Sequence, residues 1–171
     1  MSTFSLAVVG GGALVVLLCL SAFFSSSETA VFSLPRAWVD EQAATGDHRA
    51  GLLKELYDDP HRLLVTLLVG NNVVNVAISS IVTVVVTTYL PAGPAVVATT
   101  LFTSFLILVF GEIVPKAFGL GNAKYWSLTV ATPVRLTERL LSPLIWLLDG
   151  ITRRISVVLT VESDIEKPYV D

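Results

Sequence analysis

The stretch VVVTTYLPAGPAVVATT, residues 84–100, places two prolines and a glycine within five residues of an otherwise apolar run. Pro and Gly clustered in this way mark a turn. Around it, no Asp, Glu, Lys or Arg occurs from residue 63 to residue 111. A helix crosses the hydrocarbon core with about 20 apolar residues, so this run is too long for one helix and, broken at LPAGP (90–94), long enough for two. Residues 1–27 also carry no charge. Three spans are therefore predicted, at 5–33, 63–89 and 95–118.

Composition agrees. The chain has 171 residues, 53% hydrophobic and 15% charged, where soluble domains carry about 25% charged residues, and its mean hydropathy is +0.74. The first span lacks the basic flank of a signal peptide and runs on into more apolar sequence, so it reads as structural. Cys19 lies within it, and a lone cysteine forms no disulfide within the chain; it reads as an apolar filler.

The fold class expected is an all-α membrane protein, with three transmembrane helices plus amphipathic juxtamembrane helices at the cytoplasmic interface. Residues 1–122 form the three-span domain. Within it, residues 34–62 are a polar connection framed by Pro35 and Pro60, with Leu52, Leu53 and Leu56 at helical spacing, read as one short amphipathic helix. Residues 123–160 are a second belt, where Pro133, Arg135, Glu138, Arg139, Pro143 and Asp149 interrupt the apolar sequence and Trp126 and Trp146 suit interfacial depth. The polar end, 161–171, reads as the start of a linker cut short. All eleven Lys and Arg fall between spans one and two, or at and beyond the end of span three. The positive-inside rule makes that side cytoplasmic, so the N-terminus is expected outside and the C-terminus inside the cell. No nucleic-acid partner is expected.

Each span carries a polar cluster: SAFFSSSET (21–29), GNNVVN (70–75) and FGEIVPK (110–116). Ser21, Ser25 and Glu28 share one helical face, as do Asn71, Asn75 and Ser79, with Asn72 beside them. Buried amides need partners, and packing between helices would supply them. Three oxygen-rich clusters on three helices also fit a ligand. Glu28 and Glu112 are the only carboxylates within the spans, and an acidic residue at mid-membrane costs about 3 kcal/mol unless it pairs or functions. Lys116, one turn beyond Glu112, offers a plain ion pair. Pro115, however, has no N–H, so the Gly111 carbonyl loses its helical donor. A helix opened at membrane depth can present such oxygens to a cation. Hydroxyl, amide, carbonyl and carboxylate oxygens without thiolate or imidazole suit Mg²⁺, Ca²⁺ or Na⁺ and not Zn²⁺ or copper.

The strings FFSSSETAVFSLPR (23–36), LLVGNNVVNVAISS (67–80) and FGEIVPKAFGLGNA (110–123) resemble, in order and over nearly the whole chain, the transmembrane domain of the CorC/cyclin M (CNNM) magnesium transporters. The resemblance implies a homodimer in the plasma (inner) membrane that exports Mg²⁺ from the cytosol, with Na⁺ as candidate exchange ion. It implies a site using Ser25, Asn71 or Asn75, the Gly111 carbonyl and Glu112; the shared helical faces add Ser21, Glu28, Asn72 and Ser79 as a second tier around it. It also implies cytosolic CBS domains that this sequence does not contain. The alternative is a membrane anchor or scaffold whose polar clusters only pack helices. An intramembrane enzyme is not expected: there is no HExxH or GxSxG, and neither histidine lies in a span to activate a serine.

Overall fold

The computed structural model describes residues 3–161, and all of the regular structure among them is helical. Helix α1 (Thr3–Phe32) is followed by α2 (Arg36–Ala44) and α3 (His48–Asp58), then α4 (Pro60–Tyr89). Past the turn at Leu90 and Pro91, α5 (Ala92–Leu106) leads into a π-helical segment (Ile107–Ile113) and α6 (Val114–Gly121). Helix α7 (Ala123–Val161) completes the described chain. Residues 162–171, which contain most of the expected linker, lie outside the described residues.

Among the described residues, three helical stretches are long and apolar enough to cross a membrane: Ala7–Phe32, Pro60–Tyr89 and Gly93–Gly121. Their outer faces stay apolar and exposed, as at Val15, Val73, Val97 and Phe105, which suits lipid contact. The protein is a membrane protein with three spans. α1 packs against α4, the π segment and α6, with Phe24, Val31, Leu63, Leu67, Val74 and Ile78 at the centre of the core. Two close approaches set this packing. A Cβ on Gly70 would meet the Phe24 ring at 2.7 Å, and one on Gly119 would collide with the Ser26 carbonyl oxygen of α1. A side chain at Gly119 would force α1 and α6 apart, and overpacking of this kind costs about 1–3 kcal/mol.

The connection between the first two spans is two helices where one was expected. Gly46 adopts φ +81, a conformation that glycine enters without a Cβ penalty. Asp47 then caps α3, its side chain accepting from the Arg49 N–H at 2.9 Å. Lys54 holds α2 to α3 by reaching Asp40 at 2.7 Å as well as Asp58 at 3.0 Å. Hydrogen bonding to that ammonium holds the Asp40 carboxyl below its usual range, and the reciprocal bonds push Lys54 up.

The second belt is also simpler than its sequence suggests. α7 runs unbroken through Pro133 and Pro143. Its inner face buries Val130, Ala131, Val134 and Ile145, and it packs on α3, α1 and α4. Of the two tryptophans read as interfacial anchors, only Trp146 is exposed, at 79%. Trp126 turns inward, and its indole N–H donates to Ser26 Oγ at 3.0 Å. α2, α3 and α7 thus gather at one end of the spans, opposite the turn at Leu90.

Glu138 on α7 is the buried charge of this belt, 2% exposed. Arg135 Nη1 meets it at 2.6 Å, and Arg62, at the start of α4, pairs with its other oxygen. Arg135 also reaches Glu55 of α3 at 3.1 Å. Its hydrogen bond to Glu138 raises the Arg135 pKa above the already high guanidinium value. One carboxylate therefore ties α7 directly to α4 and, through Arg135, to α3. From sequence, Glu138 had only the look of a break in an apolar pattern.

Candidate functional site

The four serines of the inner half of α1 are buried: Ser21, Ser25, Ser26 and Ser27 are each at most 3% exposed. A hydroxyl inside a membrane helix commonly satisfies itself on the preceding turn. Ser26 and Ser27 do so, donating to the Phe23 carbonyl at 3.1 and 2.6 Å, and Thr29 donates to the Ser25 carbonyl at 3.3 Å. Ser25 does not. Its Oγ is buried with no hydrogen-bond partner among the described residues.

One turn earlier, Ser21 Oγ donates to Asn75 Oδ1 at 2.8 Å and lies 3.1 Å from Asn71 Oδ1. A hydroxyl has a single proton, so three oxygens meet here with one hydrogen among them. Gly111 completes the group from the third span. It is buried, and a Cβ there would stand 2.7 Å from Ser21 Oγ. Only a residue without a side chain lets that backbone come so close.

The third span is irregular at this level without breaking. The π-helical segment Ile107–Ile113 carries both Gly111 and Glu112. At its end the Val114 N–H reaches back five residues to the Val109 carbonyl. The next donor would be Pro115, which has none. In the π register this leaves the Phe110 carbonyl without a partner; in the α register it leaves that of Gly111. Wide turns of this kind recur at functional sites. Glu112 is half-buried, and its carboxylate has neither an ion pair nor a hydrogen bond among the described residues. Lys116, its expected partner one turn on, pairs instead with Glu28 of α1 at 3.5 Å.

Ser21, Asn71, Asn75 and Gly111 are thus drawn together, with Ser25 and Glu112 alongside on their own helices. Asn72 and Ser79 are not part of this cluster. The Asn72 amide donates to the Leu68 carbonyl at 2.8 Å, and Ser79 donates to the Asn75 carbonyl at 3.0 Å. Both line an open groove of about 540 Å³ on the outer face of α4, with Asn75, Val76, Ser80 and Thr83. Asn75 sits on the border between the two faces, which is why helical spacing grouped it with Ser79. Ser21, a peripheral member by sequence, is the hub. Among the described residues no three His, Cys, Asp or Glu side chains gather at one point. A cation held here would meet one carboxylate and several neutral oxygens, a donor set that suits a hard ion.

Comparison with known proteins gives a consistent result. The cyclin M transmembrane N-terminal domain matches residues 12–171. The UPF0053 inner membrane protein YfjD of Escherichia coli is 35% identical over 150 residues, covering 85% of this chain and 34% of that protein. A UPF0053 protein of Haemophilus influenzae is 33% identical, covering 92% of this chain and 37% of its own length. A chloroplastic DUF21 domain-containing protein of Arabidopsis thaliana is 33% identical, covering 92% and 24%. The chain spans about a third of the length of the bacterial relatives it matches. With the family matched over nearly all of its residues, this chain belongs to the cyclin M transmembrane domain family.

Proposed function

We propose that this domain carries Mg²⁺ across the membrane, through a site made of Ser25, Asn71 and Asn75, a carbonyl of the π turn at Gly111, and the Glu112 carboxylate. The observation that carries the reading is the buried, unpartnered Ser25 Oγ, one turn from a Ser21–Asn71–Asn75 oxygen cluster with too few protons. An unsatisfied buried hydroxyl costs about 1–3 kcal/mol; Thr99 and Thr103 of the third span are also unpartnered among the described residues, and what sets Ser25 apart is its place beside the oxygen cluster. Ser21 holds the two amides in place. Glu112 supplies the charge, and a single carboxylate keeps affinity low enough for release.

The direction proposed is export from the cytosol, in exchange for Na⁺. Purified protein in liposomes loaded with a Mg²⁺ indicator should show flux that rises several-fold when a Na⁺ gradient is imposed. Flux indifferent to the gradient overturns the exchange, and absence of Mg²⁺ flux in the intact relatives as well would favour the scaffold reading. The greater length of those relatives leaves room for cytosolic domains such as a CBS pair.

The membrane is proposed to be the plasma (inner) membrane, as the name of the Escherichia coli relative suggests, with the belt facing the cytosol because the basic residues lie on that side. In a Cys19→Ala background, Gly93→Cys should be labelled by an impermeant thiol reagent on intact cells. Labelling only after permeabilisation reverses the orientation.

A homodimer is proposed on the outer face of α4. The groove there exposes Asn72, Ser80 and Thr83 at membrane depth, where amides and hydroxyls favour contact with another helix over lipid. The mass in mild detergent should be that of two chains. A monomer that still binds Mg²⁺ would count against it.

A further inference from the structure

We infer that the Glu28–Lys116 ion pair is a gate on the belt side of the site: the Lys116 ammonium is a tethered cation that occupies Glu28, and a divalent cation passing between site and belt displaces it. The inference rests on the site proposed above. Glu28 lies three residues beyond Ser25 on α1, and Lys116 four beyond Glu112 on the third span. At 1.5 Å per residue, both stand about 5 Å nearer the belt than the ligands on their own helices. α1 and α6 run side by side here, locked by the Gly119 backbone against the Ser26 carbonyl, while Trp126 of α7 holds Ser26 Oγ from the belt. The pair closes at 3.5 Å across these two helices, with the Lys116 and Glu28 side chains 45% and 36% exposed.

Lys116 has two carboxylates to choose from. Glu112 is one turn away on its own helix, yet the ammonium goes to Glu28. Glu112 is thereby left without a counter-charge, while Glu28, nearer the belt, is neutralised. Lysine chemistry fits a displaceable plug, since its ammonium is a compact charge on a flexible stem. A pair this exposed is weak, so an arriving ion of twice the charge takes the carboxylate over while the lysine swings to water. Glu28 then serves as a docking carboxylate between belt and site.

The alternative is a surface staple that merely joins α1 to α6, and a double-mutant cycle separates the two. Mg²⁺ dissociation constants would be measured by calorimetry on the full chain in detergent for wild type, Lys116→Met, Glu28→Gln and the double variant, with Lys116→Arg as the conservative exchange. If the ammonium acts by occupying Glu28, Lys116→Met tightens binding about tenfold and Glu28→Gln weakens it about tenfold. The double variant then stays within about twofold of Glu28→Gln alone, because removing the lysine has no effect once its carboxylate is gone. Lys116→Arg should bind as wild type does. Melting temperatures without Mg²⁺ verify that each variant is folded. Tightening by the same factor with and without Glu28 would mean that the lysine acts only through space, and unchanged constants in both single variants would mean a staple; either overturns the gate. Glu112→Gln is run alongside. If it abolishes binding while the cycle is flat, only the gate fails; if it binds like wild type, the site itself is wrong and the gate falls with it.

Discussion

Replacing Glu112 by glutamine should remove nearly all of the thermal stabilisation that Mg²⁺ confers, and leave the ion-free melting temperature close to wild type. A ligand at a hundred times its dissociation constant stabilises a protein by about 2.7 kcal/mol, a shift readily seen in a melting curve. Glutamine keeps the shape and one neutral oxygen but loses the only charge in the proposed donor set. The ion-free protein is spared because Lys116 spends its charge on Glu28. Were Glu112 a packing residue paired with Lys116, the outcome would reverse: lower stability and an unchanged ion response. Pro115→Ala is the companion variant. It returns a backbone donor to the turn, for the Phe110 carbonyl in the π register or for Gly111 in the α register. The ion-free protein should melt higher and the Mg²⁺ increment should shrink, though less than with Glu112→Gln. If both variants keep the wild-type increment, the site is misassigned.

The second large effect lies in the belt. Arg62→Met together with Arg135→Met should destabilise the protein by about 3–5 kcal/mol, because the pair of changes leaves Glu138 buried and uncompensated. Each single change should cost less, since the other guanidinium remains on the carboxylate. Removing the acid is the milder change. In Glu138→Gln the two arginines, at 45% and 29% side-chain exposure, regain water, so a loss of about 1 kcal/mol is expected. Thermal melting of the two single arginine variants, the double variant and Glu138→Gln in detergent checks the order. A double arginine variant that melts like wild type would show that Glu138 finds water or another partner in the belt.

The three spans, the turn at LPAGP and the all-helical class were legible because hydrocarbon leaves so little choice: an uncharged run must form helices, and Pro with Gly must end them. The polar clusters were legible as clusters. Their internal geometry was not, since a stripe read at three- and four-residue spacing does not say which flank faces protein. Asn72 and Ser79 turned to the outer groove while Ser21 took the centre. Pro115 announced an irregular helix, but whether a helix opens or widens depends on how its far end is held, and that is set by Gly119 and Trp126 against Ser26. The split of the first belt turns on one left-handed residue, Gly46, followed by the Asp47 cap, in a segment where the spacing of Leu52, Leu53 and Leu56 speaks only for the second half. Glu138 escaped notice because its burial depends on Arg62, far from it in sequence and on another helix, as well as on the nearby Arg135.

The wide turn at Ile107–Ile113 can also be seen as a trace of the chain's history. A π turn takes in one residue more than the α turn it replaces, while the helix on either side keeps its facing. A version of this protein lacking one residue in that segment could therefore run as plain α-helix, with Gly119 still seated on Ser26 and the belt undisturbed. The present chain cannot be straightened so simply. Made regular at its full length, it would turn everything past Ile113 by about 100° and swing a side chain into the place where only a glycine fits. Gly111 and Glu112 sit in a turn widened by a single supernumerary residue, and the tight seat at Gly119 keeps that surplus from being wound away.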